Sequence, residues 1–238
     1  MNIGTWNVRS LNGKEVELVE ESKKYSLDIL GITETKKKEQ GIDSYEGYKL
    51  IYSGVSRCER ARAGVAALIK DEIFENSDFD YISERLLEIN VELKEKRVKL
   101  IVAYGPNEDA AKEDLDDFYN LLQLTIDKTK ANQEVMILGD INARVGNKAE
   151  CYSGVIGKEG ETSESPNGER LVDLSMRNNM KIANTYFKHK DLHKWTSLSF
   201  QNRLLYLNKI GKKHFLTFSD PLGHNASSPK VLNEFDEK

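Results

Sequence analysis

The 238-residue sequence predicts an α/β fold, a mixed-sheet α/β sandwich with its strand ends gathered on one side. Three observations lead there. Short apolar runs alternate with helical stripes and a hairpin, the order expected when strands and helices share one core. No stretch marks a linker, and a chain of this length fits one large domain. Several apolar runs also end on an acid, an amide or a phenol. The domain is assigned to residues 1–220, and residues 221–238, "PLGHNASSPKVLNEFDEK", have the composition of a frayed terminus.

The elements follow in order. "NIGTW" (2–6) reads as a strand, ending at Trp6-Asn7. "GKEVELVEESKKYS" (13–26) places Val16, Val19 and Tyr25 on an approximate helical stripe. "LDILGI" (27–32) is a buried-strand run that ends at Thr33-Glu34, and "YKLIYSG" (48–54) and "GVAALIK" (64–70) are strands joined by an arginine-rich loop. "LEINVEL" (87–93) and "RVKLIVAY" (97–104) flank the charged turn "KEK", which makes a hairpin. The clearest helix is 110–129, where Leu115, Phe118, Tyr119, Leu122 and Ile126 recur on one face. "EVMILG" (134–139) is the next strand; a Gly- and Ser-rich loop then runs from Val145 to Asn167, before a short helix over 168–179 and a strand "KIANT" over 181–185. Beyond Trp195 no clean strand–turn–strand order is legible.

Composition narrows the class. A hydrophobic fraction of 39% and a charged fraction of 31% describe a soluble globular protein. No apolar run reaches membrane-spanning length, and the first residues lack the order of a signal peptide. With Cys58 and Cys151 the only cysteines, a disulfide framework is not expected and a reducing, intracellular compartment is. The net charge of −4 argues against holding nucleic acid through overall charge. Local basic rims exist in "SRCERAR", with Arg57, Arg60 and Arg62, and in "KHKDLHK", with Lys188, His189, Lys190, His193 and Lys194; taken alone, such clusters are most often solvated faces.

The chemistry concentrates at strand ends. In "VMILGDINARVG" (135–146) an apolar climb to Gly139 delivers Asp140 and Asn142, two apart. Residues two apart on a strand share a direction, and sites form at the carboxyl ends of strands in α/β folds. The plainer alternative is that Asp140 starts a turn. Three other runs end the same way: Trp6-Asn7, Thr33-Glu34 and Tyr104-Gly105-Pro106-Asn107. Carboxylate and amide oxygens suit Mg²⁺, and a second carboxylate near it can take a proton from water. Amides and a phenol can donate to phosphate oxygens as charge develops. Zinc spacing, a phosphate-cradling Gly-rich loop and a G-x-S-x-G elbow are all absent from the sequence. The residues therefore point to metal-assisted phosphoester hydrolysis.

The motifs "TWNVRSLN", "LGITETK", "GVAALI", "VAYGPN", "LGDINARVG" and "NGERLVDL" stand in order, and over residues 2–197 the chain resembles the endonuclease domain of RTE-type non-LTR retrotransposons and of craniofacial development protein 2-like host proteins. That likeness implies the endonuclease/exonuclease/phosphatase superfamily and a DNase-I-like fold. It implies a DNA substrate, Mg²⁺ or Mn²⁺ as cofactor, a monomer, and a nuclear location if DNA is the substrate. By the resemblance, Glu34 is a metal ligand, with Asn7 beside the metal and the scissile phosphate. Tyr104 and Asn107 contact the phosphate. Asp140 orients or deprotonates the attacking water, and Asn142 binds next to it. Trp195 and Thr196 match a segment near the DNA-binding surface.

The end of the chain departs from that pattern. The resemblance calls for a strand carrying "DY" and later a strand-end "SDH". Here "LLYL" (204–207) has Leu205 in place of the aspartate; Ser219 and Asp220 are followed by Pro221 instead of histidine, and His224 lies three residues further on. The expectation is a fold that lacks or remodels its last strands, with a sheet edge left unpaired and marginal stability. Two functions compete: a DNA endonuclease with an incomplete C-terminal motif, or an inactive retrotransposon-derived remnant that binds DNA or protein. A lipid or inositol phosphatase of the same superfamily fits the "VRSLN" and "NGERL" contexts less well.

Overall fold

The structure is a computed structural model, and it describes residues 1–93, 96–152, 154–187, 206–209 and 215–218. Among the described residues, two six-stranded sheets face each other. In chain order the elements are β1 (Asn2–Asn7), α1 (Glu15–Lys24), β2 (Ile29–Thr33), β3 (Gln40–Tyr45), β4 (Tyr48–Ser53), β5 (Val65–Lys70), α2 (Asp71–Phe74), β6 (Ser77–Ser83), β7 (Leu86–Leu93), β8 (Lys96–Tyr104), α3 (Lys112–Asp127), β9 (Gln133–Asp140), α4 (Pro166–Arg177), β10 (Lys181–Ile182), β11 (Tyr206–Lys209) and β12 (Phe215–Phe218). One sheet runs β11-β1-β2-β5-β4-β3, the other β10-β12-β9-β8-β7-β6. The mixed α/β sandwich read from the sequence is the observed architecture.

Strand alternation assigns the layers. Ile3, Ile29, Leu138, Val102 and Met136 meet between the sheets in one apolar cluster. Ile101, Val135 and Ile137 point the other way, against Phe118, Leu122 and Leu171 of α3 and α4. Leu30, Ile32 and Leu68 cover the outer face of the first sheet together with Leu18 and Val19 of α1. Gly31 sets how closely the sheets approach: a Cβ there would stand 3.2 Å from the Leu138 Cβ and 3.4 Å from Val102 Cγ2. Any larger residue would press apart the two strands that end at the site.

Most expected elements are present, with four differences. Val16 of α1 is exposed, and the helix buries Leu18, Val19 and Ser22, because the face defined by Leu18, Ser22 and Tyr25 at i, i+4 and i+7 is the one turned inward. The strand expected over 181–185 stops at Ile182 and gives way to a 3₁₀ turn, Ala183–Tyr186. The strands β3 and β6 and the short helix α2 had no counterpart in the reading of the sequence; the two strands lie at sheet edges. Finally, β1 and β9 are not left with open edges. β11 pairs antiparallel with β1, and β12 runs parallel between β9 and β10, so the last strands are short but built. The basic stretch Lys188–Lys194 and the tail 221–238 lie outside the described residues.

Candidate active site

Two parallel pairings bring the strand ends together. In the first sheet Asn7 lies opposite Thr33, one residue before Glu34. In the second, Tyr104 lies opposite Asp140. Asn7 follows Ile3 and Thr5 on the inward face, Tyr104 follows Val102, and Asp140 follows Leu138. Alternation alone therefore turns these three side chains toward one another across the sandwich.

Glu34 breaks that rule. Simple alternation would send it outward with Leu30 and Ile32, but its backbone turns left-handed at φ 54°, and its carboxylate instead accepts a hydrogen bond from Asn7. Strained backbone of this kind clusters at functional sites. Gly139 in β9 has φ 130°, a conformation that other residues rarely adopt, and a Cβ there would collide with the Ala103 carbonyl oxygen.

Asn7 joins the two acids. Its Nδ2 donates to Glu34 Oε1 at 2.8 Å and to Asp140 Oδ2 at 2.9 Å, while its Oδ1 accepts the backbone N–H of Arg9 at 3.2 Å. Asp140 is buried, and burial pushes its carboxyl up to about 6. Hydrogen bonds from Asn7 and from the Asn142 N–H pull the other way, and the charge of Glu34 adds to the rise.

Asp140 also starts a turn. Its Oδ1 accepts the N–H of Asn142 at 3.0 Å, and Asn142 takes φ 53°, so the extended geometry does not persist past the strand. The turn raised as the plainer alternative is present, closed by one carboxylate oxygen, while the other oxygen accepts the Asn7 amide. Asn142 reaches the site by its left-handed backbone and not by strand alternation. Its Nδ2 donates to the Gly105 carbonyl at 3.0 Å and to Asn107 Oδ1 at 3.4 Å, and its side chain lies beside the Tyr104 phenol. Burial pushes that phenol above its ordinary value of 10, with Glu34 and Asp140 adding to the effect, so it remains a protonated donor at any physiological pH.

Two supporting residues were not anticipated. Asn167, buried at the start of α4, donates to the carbonyls of Ile141 and Asn142 at 2.9 and 2.7 Å and so holds the turn after Asp140. The signal for it was its place in "NGERL". Arg85 precedes β7, and its Nη1 donates to the carbonyls of Tyr104 and Gly105; nothing in the local pattern marked it. Trp195, Thr196, Ser219, Asp220, Pro221 and His224 lie outside the described residues. Of the arginine-rich loop, Arg57 pairs with Glu39 at 2.9 Å, whereas Arg62 lines a cavity of about 540 Å³ beside Tyr104 and Asn107.

Among the described residues no group of three or more His, Cys, Asp or Glu side chains converges. A cation here would rest on one or two carboxylates and keep water as its other ligands, which is how Mg²⁺ binds. Glu34 and Asp140, two acids sharing one amide, fit such a hydrated hard cation; its charge would offset the repulsion between them, which adds to the burial that lifts the Asp140 carboxyl.

Comparison with known proteins decides the family. The model of the endonuclease/exonuclease/phosphatase family matches residues 4–151, which include Asn7, Glu34, Tyr104, Asn107, Asp140 and Asn142. The chain belongs to the endonuclease/exonuclease/phosphatase family. Family membership supports phosphodiester hydrolysis in general, and members of the family are in general dependent on a divalent metal. Craniofacial development protein 2 of Tragulus javanicus is 30% identical over 200 residues, covering 82% of this chain and 34% of the relative. The Bos taurus protein of that name is 30% identical over the same length, with 82% and 33% covered. The chain thus spans about a third of the curated relatives it matches. Among solved structures, the endonuclease domain of TRAS1, a telomere-specific non-LTR retrotransposon, superposes with a TM-score of 0.54 at 12% identity, covering 82% of this chain and 77% of that one. An AP endonuclease from Archaeoglobus fulgidus gives 0.52 at 17%, with 74% and 70% covered. The Xenopus laevis APE2 catalytic domain gives 0.51 at 18%, with 77% and 69% covered. These likenesses show a shared DNase-I-like fold. No helix among the described residues is long and apolar enough to cross a membrane.

Proposed function

We propose that this chain is a Mg²⁺-dependent DNA endonuclease that nicks one strand, acting in the nucleus, where its substrate lies. The observation that carries the reading is the Asn7 amide shared between Glu34 and Asp140, with Tyr104 and Asn142 beside it. It sets an acidic half, able to hold a cation and a water, against a half made of donors. Mg²⁺ (or Mn²⁺ in its place), held by Glu34 with Asn7 beside it, would polarise the scissile phosphate and offset its charge. Asp140 orients water and takes its proton as the oxygen attacks phosphorus. The P–O3′ bond breaks, the departing oxygen gains a proton, and a 3′ hydroxyl and a 5′ phosphate result. The Tyr104 phenol and the Asn107 and Asn142 amides donate to phosphate oxygens as negative charge grows. Trp195 and Thr196 belong to the DNA-binding surface in this proposal.

A second reading, a binding module without catalysis, is favoured by Pro221 standing where the resemblance calls for histidine. Nicking of supercoiled plasmid separates the two. The purified protein is expected to nick with Mg²⁺ and not with EDTA, and Glu34→Gln and Asp140→Asn are each expected to reduce the rate by about 100-fold or more. No nicking by folded wild-type protein would leave only the binding module.

A further inference from the structure

The structure assigns Arg85 as a positioning residue that holds the phosphate-facing half of the site; the assignment rests on the proposed endonuclease reading. Arg85 grips the Tyr104-Gly105 segment three ways. Its own carbonyl accepts the Tyr104 N–H at 2.9 Å. Its Nη1 reaches the Tyr104 carbonyl at 3.2 Å and the Gly105 carbonyl at 3.3 Å. Its guanidinium lies over the Tyr104 ring, 5.3 Å from the centroid.

The Gly105 carbonyl is the link to the rest of the site, because it also accepts the Asn142 amide at 3.0 Å. One oxygen is therefore held by both Arg85 and Asn142, and the same Asn142 amide also donates to Asn107 Oδ1 at 3.4 Å. Moving Arg85 would shift the ring, the carbonyl and the Asn142 amide together. The residue is itself held: the β6–β7 register slips between Tyr81 and Ser83, the Arg85 N–H donates to Ser83 Oγ at 3.1 Å, and the Ser83 carbonyl accepts Ser53 Oγ at 2.8 Å. Slips of this kind re-aim side chains next to sites. Ser53 belongs to β4 of the opposite sheet, so the chain of contacts ties the donor half to the sheet that carries Glu34.

Lysine in place of Arg85 keeps the charge but loses the planar group that lies over the ring and reaches two carbonyls at once. In Arg85→Lys, kcat for plasmid nicking is expected to fall about 100-fold while KM stays within about twofold, the signature of misplaced groups in a site that still binds. Rates are taken at a temperature where thermal melts show both proteins fully folded. The second readout needs no activity: the Asn142 and Asn107 side-chain amide resonances should shift in Arg85→Lys, while the Asn7 amide stays in place. An unchanged kcat in a nicking-competent protein overturns the assignment, and so do unmoved Asn142 and Asn107 amides. Should the wild type nick no DNA, the endonuclease reading falls by itself, and the amide resonances alone support or overturn the positioning role.

Discussion

Asp140 carries two duties that conflict. In the proposed reaction it takes a proton from water and must be charged, yet it is buried, and burial lifts its carboxyl from 3.8 to about 6. The folded carboxyl holds its proton more tightly than the unfolded one, so acid favours folding through this group, and that contribution is lost as pH rises through about 6. Burying the charge at neutral pH costs on the order of 3 kcal/mol by that linkage. In EDTA, Asp140→Asn should therefore melt above the wild type at pH 8, with the gain shrinking toward zero near pH 4; an equal gain at both pH values would contradict the burial argument. Tyr104 makes the opposite case. Its phenol is held protonated, so it donates and does not titrate. Tyr104→Phe removes one donor from a ring that stays packed. Nicking should slow by about 100-fold with the shape of the pH–rate profile kept, and a displaced alkaline limb would show a titrating phenol instead.

At the scale of elements, α3 rests on the second sheet through more than its apolar stripe. Lys99 of β8 is 2% exposed; its Nζ meets Glu88 Oε1 of β7 at 3.1 Å and the Thr125 carbonyl of α3 at 3.1 Å. Asn90 also donates to Glu88 Oε1, at 2.8 Å. Removing one member of a buried pair leaves an uncompensated charge, whereas replacing both with apolar groups can be nearly neutral. Glu88→Ala should cost about 3–5 kcal/mol in urea unfolding, and Glu88→Leu with Lys99→Met should recover most of it. Recovery of none would mean that the pair holds α3 through its hydrogen bonds. α3 was legible in the sequence because packing and periodicity agree there: Leu115, Phe118, Tyr119, Leu122 and Ile126 are all buried. β3 was not legible, since "QGIDSY" has no apolar face and an edge strand is held by backbone bonds to one neighbour.

For the whole molecule, the closing strands matter more than their length suggests. β11 caps β1, and β12 fills the gap between β9 and β10, so both strands that deliver Asn7 and Asp140 are paired on each side. A chain ending at residue 220 should melt like the full protein, whereas one ending at residue 204 should expose the edges of β1 and β9 and aggregate in light scattering. Matching aggregation of both truncations would place a structural role in residues 221–238. By itself the sequence determined the sandwich, the hairpin, the main helix and the residue types of the site. Those are written locally, in apolar periodicity and in the polar residue that ends each run. Three further matters were decided only by tertiary structure. Glu34 turns inward on a left-handed backbone, Asn7 is shared by two acids that stand far apart in the chain, and Arg85 is bound to the Gly105 carbonyl. Each depends on partners remote in sequence, whose distance and direction no local pattern encodes.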